Sequence, residues 1–228
     1  MNAMVVDGTS KNKIYRELRR AIIMGHRNAG ERLDIEVLCQ QYNTSITPVR
    51  DALQMLSQEG LITIRPRSGY FVARISLKEL RDMLEMREIL ELAVLDRAAT
   101  RITPEQLAAL RHVHAGYTGD DDESYDRYTD ENRRFHYLLA SASGNQELAE
   151  TLGHLHDRLA RYMVMRHAGQ TQEDGHLQIL DALESKDLPT ARQLLLNEIR
   201  TSREAILERV YQDEAANWLL EASVPSQR

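Results

Sequence analysis

The chain has 228 residues, of which 42% are hydrophobic, enough for one large or two modest folded domains. Charged residues make up 28% and aromatic residues only 5%, a mixture typical of solvated amphipathic helices and not of β-sandwiches or barrels. The single cysteine, Cys39, excludes an intrachain disulfide, and no apolar run approaches the ~20 residues that span a bilayer. We therefore expect a cytoplasmic protein with no membrane partner.

The net charge of −6 is unevenly distributed along the chain. Residues 1–75 contain 11 Lys and Arg against 7 Asp and Glu, a net charge of +4, whereas residues 76–228 contain 18 against 28, a net charge of −10. Phosphate attraction needs only a local basic surface. The distribution therefore favours a nucleic-acid-binding module joined to a domain of another kind.

The first 75 residues show the order helix, helix, helix, hairpin. Apolar residues at helical spacing predict three helices, at about 11–24, 33–43 and 48–60. Oxygens of Thr44, Ser45 and Thr47 are suited to cap the third helix. The next segment, LITIRPRSGYFVAR, is typical of two short strands around a Pro-Arg-Ser-Gly turn. This order is that of a winged helix-turn-helix domain.

The third predicted helix has the division of residues that a DNA recognition helix needs. Ser45 and Thr47 can donate hydrogen bonds to phosphates or bases, and Arg50 can make two hydrogen bonds to a guanine edge. The hairpin offers Arg65 and Arg67 to the DNA backbone or the minor groove. Simpler interpretations are helix capping by the two hydroxyls and a solvated Arg67. The predicted DNA-contacting set is Ser45, Thr47, Arg50, Arg65, Arg67 and Gly69.

Residues 76–228 show helical patterns and no comparable strand signal. Ser76 and Thr103 each open a capping box, and the first of these helices is predicted to run to about Thr100. Further helices are predicted at about 124–142, 146–166, 170–184 and 188–210, with the acidic segment 119–123 as a solvated connection. Because periodicity and charge change where the Ser76 capping box begins, the sequence predicts two domains, 1–75 and 76–228.

A continuous pattern of about 60 residues runs from IYRELRRAIIMG through GERLDIEVLCQQYNTSITPVRDALQMLSQEGLITIRPRSGYFV. It resembles the GntR family of bacterial regulators, which implies sequence-specific DNA binding. The family usually carries Ser-Arg-Thr-Pro-Val-Arg-Glu at the recognition helix, whereas this chain has Ser45-Ile46-Thr47-Pro48-Val49-Arg50-Asp51. Ile46 thus replaces a frequent base-contacting arginine, and Glu36 replaces a DNA-contacting arginine of some relatives. Operator sequences therefore cannot be transferred from the family.

Several segments of the second part resemble the FCD ligand-binding domain of FadR-type GntR regulators. They are MREILELAVLDRAA (86–99), ENRRFHYLLASASGN (131–145), GHLQILDALESKDLPTA (175–191) and the amphipathic helix that follows. The resemblance implies six or seven helices around a buried pocket. Many members hold a divalent metal there with one Asp or Asn and three His, and the metal binds an organic-acid effector.

By position, the resemblance implies a metal site at Asn132, His136, His176 and Glu198, where Glu198 replaces the usual last histidine. Asn132 and His136 are four residues apart and so project from one helical face. The mixed nitrogen and oxygen donors are acceptable to Zn, Mn, Fe(II) or Ni. Arg87 matches a family arginine that often faces the effector, although Arg87 and Glu91 are also an ordinary ion pair one turn apart. The histidines without motif support are interpreted as structural or exposed: His112, His114, His154, His156 and His167.

The sequence thus predicts a mainly α protein, an N-terminal winged helix-turn-helix followed by a C-terminal all-α FCD-type bundle. We expect a homodimer that binds a short inverted repeat in double-stranded DNA and senses a small carboxylate effector. Two His and a carboxylate also describe non-haem iron oxygenases, but the sequence contains no nucleophile-base constellation, P-loop or dinucleotide fingerprint. A structural nucleoid protein is the third alternative, and it would coat DNA uniformly.

Overall fold

The computed structural model describes residues 10–222 apart from 115, 117, 120 and 166–168. His167 and the end of the predicted helix 146–166 lie outside these residues. The described elements are α1 (Ser10–Ile23), β1 (Arg32–Leu33), α2 (Ile35–Gln41), α3 (Ile46–Gln58), β2 (Ile62–Arg65), β3 (Gly69–Val72), α4 (Leu77–Ala98), α5 (Pro104–Arg111), α6 (Asp122–Ala142), α7 (Gln146–Met165), α8 (Gly169–Glu184) and α9 (Leu188–Ala222). No helix among the described residues is long and apolar enough to cross a membrane.

The N-terminal region packs α1, α2 and α3 against a small antiparallel sheet with strand order β1-β3-β2. The predicted hairpin is present: Arg65 pairs with Gly69 next to the turn, and Ile62 pairs with Val72. The first strand was not predicted, because two residues are too short to show a period of two. Leu33 of this strand pairs with Tyr70 and completes a winged helix-turn-helix.

The starts of α2 and α3 are fixed in different ways. The Asp34 side chain accepts hydrogen bonds from the backbone N–H groups of Glu36 and Val37, which caps α2. Ser45 is the N-cap residue of α3, but its side chain makes no capping hydrogen bond, so the predicted capping by this hydroxyl is wrong. The N-terminus of α3 is exposed, so water can bind the first backbone N–H groups of the helix.

The C-terminal region packs α4 to α9 around a second apolar core. The capping boxes at Ser76 and Thr103 are both present, as predicted. The acidic segment differs from the prediction: Asp121 caps α6 by accepting from the backbone N–H of Ser124, so only part of 119–123 is a connection. Acidic side chains there stabilise the positive end of the helix dipole.

The last helix is also longer than predicted, since α9 continues to Ala222 and not to about residue 210. No Gly or Pro occurs in the sequence between residue 210 and the proline at 225, so nothing local stops the helix. The amphipathic pattern ends earlier than the helix does, and the prediction followed the pattern.

The two regions touch through α1, α6 and α7. Ala160 of α7 is buried in the N-terminal core, and Val164 packs against the same core. Arg19 of α1 is only 6% exposed, and its guanidinium lies 3.2 Å from Glu59 and 2.8 Å from Asp130 of α6. We call these contacts the junction. It combines apolar packing with a nearly buried arginine.

Candidate metal centre and DNA-binding surface

The outward face of α3 presents the side chains that the sequence assigned to DNA. Ser45, Thr47 and Arg50 are all exposed, whereas Val49 and Leu53 are fully buried in the N-terminal core. The helix therefore has one face for packing and one for an external partner. That is the division that insertion into a DNA groove requires.

The hairpin between β2 and β3 brings the remaining predicted DNA residues together. Arg65 and Arg67 are exposed, and the guanidinium of Arg65 lies 4.5 Å from the centre of the Phe71 ring. Gly69 has a φ of 106°, a backbone conformation that side chains rarely adopt. The glycine therefore shapes the turn, while the two arginines supply its positive charge.

In the C-terminal region, His136 of α6, His176 of α8 and Glu198 of α9 converge in the interior. The Nε2 of His136 lies 3.7 Å from Oε1 of Glu198, and the Nε2 of His176 lies 3.5 Å from its Oε2. Atoms bound to one metal ion at about 2.0–2.2 Å are separated from each other by about 3–4 Å. Asn132, one turn before His136 on α6, is 2% exposed. Three of the four predicted ligands are therefore spaced as ligands of one ion would be.

A hydrogen-bonded chain sets the orientation of His176. Its Nδ1 lies 2.8 Å from Nε2 of His114, and Nδ1 of His114 lies 3.2 Å from Oε2 of Glu131. An ionised carboxylate only accepts, so a neutral His114 donates to Glu131 and accepts from Nδ1 of His176. The Nε2 of His176 then carries a lone pair, and among the described residues this buried atom has no hydrogen-bond partner. That is the form in which a histidine binds a metal, so the residues fit a divalent ion.

Glu91 of α4 also belongs to this cluster, although the sequence predicted for it only an ion pair with Arg87 one turn away. Its Oε1 accepts from Nε of Arg87 at 2.5 Å and lies 3.0 Å from Nε2 of His156. Its Oε2 lies 2.6 Å from Nδ1 of His136, outside the direction of a hydrogen bond. The fully buried Arg87 also contacts Glu198 at 3.3 Å. Glu91, His136 and His156 form a second group of potential ligands that shares His136 with the first.

Burial and the neighbouring charges shift the pKa values of the cluster residues in different directions. Burial lowers the pKa of His156 and of His176 to about 4. Burial would also lower the pKa of His136, but the carboxylates of Glu91 and Glu198 outweigh it and raise that pKa. Burial would raise the pKa of the Glu91 carboxyl, but the neighbouring guanidinium holds it well below its usual range. The guanidinium of Arg87 thus faces two carboxylates, and the same carboxylates favour a proton on His136.

A cavity of about 470 Å³ between α8 and α9 reaches this cluster. Its lining includes Gln172, Asn197, Glu198, Thr201 and Ser202. The Ser202 hydroxyl accepts a hydrogen bond of 3.2 Å from Nη1 of Arg87, so the buried guanidinium lies directly behind the cavity wall. The volume is in the range of small-molecule sites, and the polar groups of the largely apolar lining are mainly hydroxyls and amides.

Two family models match separate parts of this chain. Residues 10–72 match the model described as bacterial regulatory proteins, gntR family, and residues 82–201 match the FCD domain. The chain belongs to the GntR family. It is a transcription regulator with an N-terminal DNA-binding domain and an FCD domain, and it is not an enzyme.

Curated relatives of this GntR regulator are themselves regulators. The HTH-type transcriptional repressor RspR of Escherichia coli (strain K12) is 30% identical over 215 residues, which cover 92% of this chain and 93% of the repressor. The Nta operon transcriptional regulator of Aminobacter aminovorans is 29% identical over 189 residues, covering 80% and 88%. The similarity therefore extends over both regions.

Solved structures confirm the fold of the GntR regulator. E. coli McbR/YncC matches with a TM-score of 0.66 at 23% identity, covering 89% of this chain and 99% of that one. A putative GntR regulator from Rhodococcus sp. RHA1 matches with a TM-score of 0.65 at 20% identity, covering 87% and 97%. A mainly α chain with a winged helix-turn-helix and a helical bundle was the predicted fold class.

The GntR and FCD resemblance did not identify three members of the cluster: Glu91, His114 and His156. His156 had a detectable signal, since it follows Leu152 by four residues and precedes Leu159 by three, on the buried face of α7. His114 lies in the irregular segment after α5, where no periodicity could place it. Two of the histidines interpreted as structural or exposed, His112 and His154, are exposed.

Proposed function

We propose that this GntR regulator is a homodimer that binds a short inverted repeat and changes its operator affinity when a small carboxylate binds the C-terminal bundle. One recognition helix contacts too few base pairs for useful specificity, and two-fold symmetry doubles the site. The exposure of Ser45, Thr47 and Arg50 supports base contacts by α3, and that of Arg65 and Arg67 supports contacts to phosphates or the minor groove. Phosphate contacts make the affinity fall steeply with salt.

The C-terminal cluster is proposed to hold a divalent metal through His136, His176 and Glu198, with Asn132 as the fourth ligand. The observation that carries this proposal is the convergence of three buried donors from three helices, with the lone pair of His176 Nε2 turned toward Glu198. These donors suit Zn, Mn, Fe(II) or Ni. Such an ion would supply a positive centre for a carboxylate.

Arg87 is proposed to pair with the effector. Its guanidinium is held in place by Glu91 and Glu198, and it donates to Ser202 on the cavity wall. A carboxylate in the cavity would therefore lie near a hydroxyl and an always-charged guanidinium. This arrangement favours small organic or sugar acids over neutral ligands.

The domain boundary is proposed to lie between residues 75 and 76. A fragment of residues 76–228 is expected to fold and dimerise alone, because the second core is complete without the N-terminal helices. Circular dichroism and sedimentation of this fragment test the boundary. An unfolded fragment beside a stable full chain would show that the boundary or the two-domain model is wrong.

The metal proposal is tested with His136→Ala/His176→Ala, compared with the exposed pair His112→Ala/His154→Ala. The first variant is expected to lose bound metal and the response of operator binding to carboxylates while still binding DNA. The control is expected to keep both. Metal content after purification and DNA binding with a panel of small carboxylic acids are the measurements. Full metal content in the first variant would refute the site.

One observation favours a second version of the sensor, in which the carboxylate binds without metal. Arg87 already forms ion pairs with Glu91 and Glu198, and the same two carboxylates raise the pKa of His136, so the cluster can balance its charges without an ion. A carboxylate that shifts the thermal unfolding of chelator-treated protein as strongly as that of metal-loaded protein would establish this version. A ligand at 100 times its Kd stabilises by ~2.7 kcal/mol, which such a measurement detects readily.

A further inference from the structure

Ile46, the first residue of α3, is an exposed apolar residue. Its side chain is 48% exposed, whereas the other large apolar side chains of α3 are buried or partly buried in the part of the chain that the structure describes. A single exposed isoleucine is ordinary on a protein surface. This one is notable because of the face on which it lies.

Ile46 lies among the residues proposed to contact bases. Ser45 and Thr47 flank it and are exposed, and Arg50 follows it by one helical turn on the same side of α3. The N-terminal residues of a recognition helix are those that approach base edges in the major groove. A side chain at this position therefore faces bases when α3 is in the groove.

The chemistry of the major groove restricts what an isoleucine can recognise there. Guanine, adenine and cytosine present hydrogen-bond donors and acceptors, while thymine also presents an apolar C5-methyl group. Isoleucine neither donates nor accepts through its side chain. We propose that Ile46 packs against a thymine methyl group in each half-site and is a specificity-determining residue. This inference rests on the proposed DNA recognition by α3 and adds one base identity to it.

The test removes the methyl group and nothing else. An operator is first obtained by in vitro selection with the full-length protein, and each thymine of one half-site is then replaced by uracil. For the wild-type protein, one replacement is expected to weaken binding about fourfold, the effect of one buried methyl group. For Ile46→Ala, the same replacement is expected to leave the Kd unchanged. The comparison of thymine and uracil operators with the wild-type protein does not depend on whether Ile46→Ala folds.

Ile89→Ala is the matched control, because Ile89 is 61% exposed on α4, outside the winged helix-turn-helix. It is expected to keep the full sensitivity to uracil. Equal losses for wild type and Ile46→Ala at every thymine would overturn the inference, as would a selected half-site without thymine. Either outcome leaves specific DNA binding intact. A selection that enriches no sequence would overturn the proposed function together with the inference.

Discussion

The DNA-binding surface and the buried cluster are built in opposite ways. On α3, the side chains of Ser45, Thr47 and Arg50 are exposed and are available to a partner from outside the chain. In the C-terminal bundle, Arg87 and Glu91 are at most 1% exposed and are held by contacts with several other helices. A substitution on the surface should therefore change affinity and little else. A substitution in the cluster should change stability, protonation and binding together.

Acid is expected to produce the largest difference between the two regions, because the buried histidines among the described residues all lie in the cluster. Burial lowers the pKa of His156 and His176 to about 4, against about 6.5 in an unfolded chain. The unfolded state then binds protons that the folded state does not, so stability is complete above about pH 6.5 and falls toward pH 4. Each histidine is expected to cost about 2 kcal/mol at pH 5 relative to pH 7.5. Urea unfolding of chelator-treated protein measures this loss.

The contribution of His136 to stability changes with pH in the opposite direction, and it does so over a different pH range. Its raised pKa contributes stability that is present below about pH 6.5 and is lost as the pH rises through the folded-state value. His156→Gln is expected to reduce the acid loss by about half, while exposed His154→Gln is the control and should not change it. Equal stability of the wild-type protein at pH 5 and pH 7.5 would contradict the assignment.

The junction is expected to show the next largest effect. Arg19→Met removes a guanidinium that is 6% exposed and leaves Glu59 without its ion pair, so the free energy of unfolding should fall by about 3 kcal/mol. The estimate is at the low end of the range for buried pairs, because the Asp130 side chain is 52% exposed. Arg16→Met, on the exposed side of α1, is the control. Equal stability of the two variants would show that neither ion pair of Arg19 contributes to stability, including the pair with Asp130 that joins the two regions.

On the DNA surface, Arg50→Ala is expected to weaken operator binding by about 1–3 kcal/mol without changing the unfolding transition. The variant should also tolerate a base change at one position in each half-site. Arg134→Ala, an exposed arginine on α6, should bind like the wild type. Titration of both variants against the operator and its single-base derivatives is the measurement. Unchanged operator affinity in Arg50→Ala would count against α3 as the recognition helix.

The smallest expected effect concerns His114, which orients His176 without facing Glu198 itself. His114→Gln should weaken metal binding about tenfold, the lower limit for groups that orient a ligand. Competition with a chromogenic chelator gives the affinity, and exposed His112→Gln is the control. The same affinity in both variants would show that the contact with His176 has no role in metal binding.

The two regions differ in how much of each the sequence could predict. The winged helix-turn-helix and its DNA face follow from local spacing, because Val49 and Leu53 alone indicate which side of α3 is buried. The cluster depends on how distant helices pack, and no spacing along the chain relates Glu91 to His156. The resemblance to the FCD domain pointed to His136, His176 and Glu198 by their positions. It could not identify Glu91, His114 and His156, which contact them in the folded chain. The loop prediction failed because a run of acids is typical of both a solvated loop and a helix start.

Helix α6 contacts both regions. Asp130 and His136 lie less than two turns apart on this helix, one in contact with Arg19 and the other inside the cluster. A displacement of α6 that improves one set of contacts therefore alters the other. Thermodynamic reciprocity then applies: if an effector lowers the affinity for the operator by some factor, the operator lowers the affinity for the effector by the same factor. Bound promoter DNA would in this way set the effector concentration at which the regulator responds.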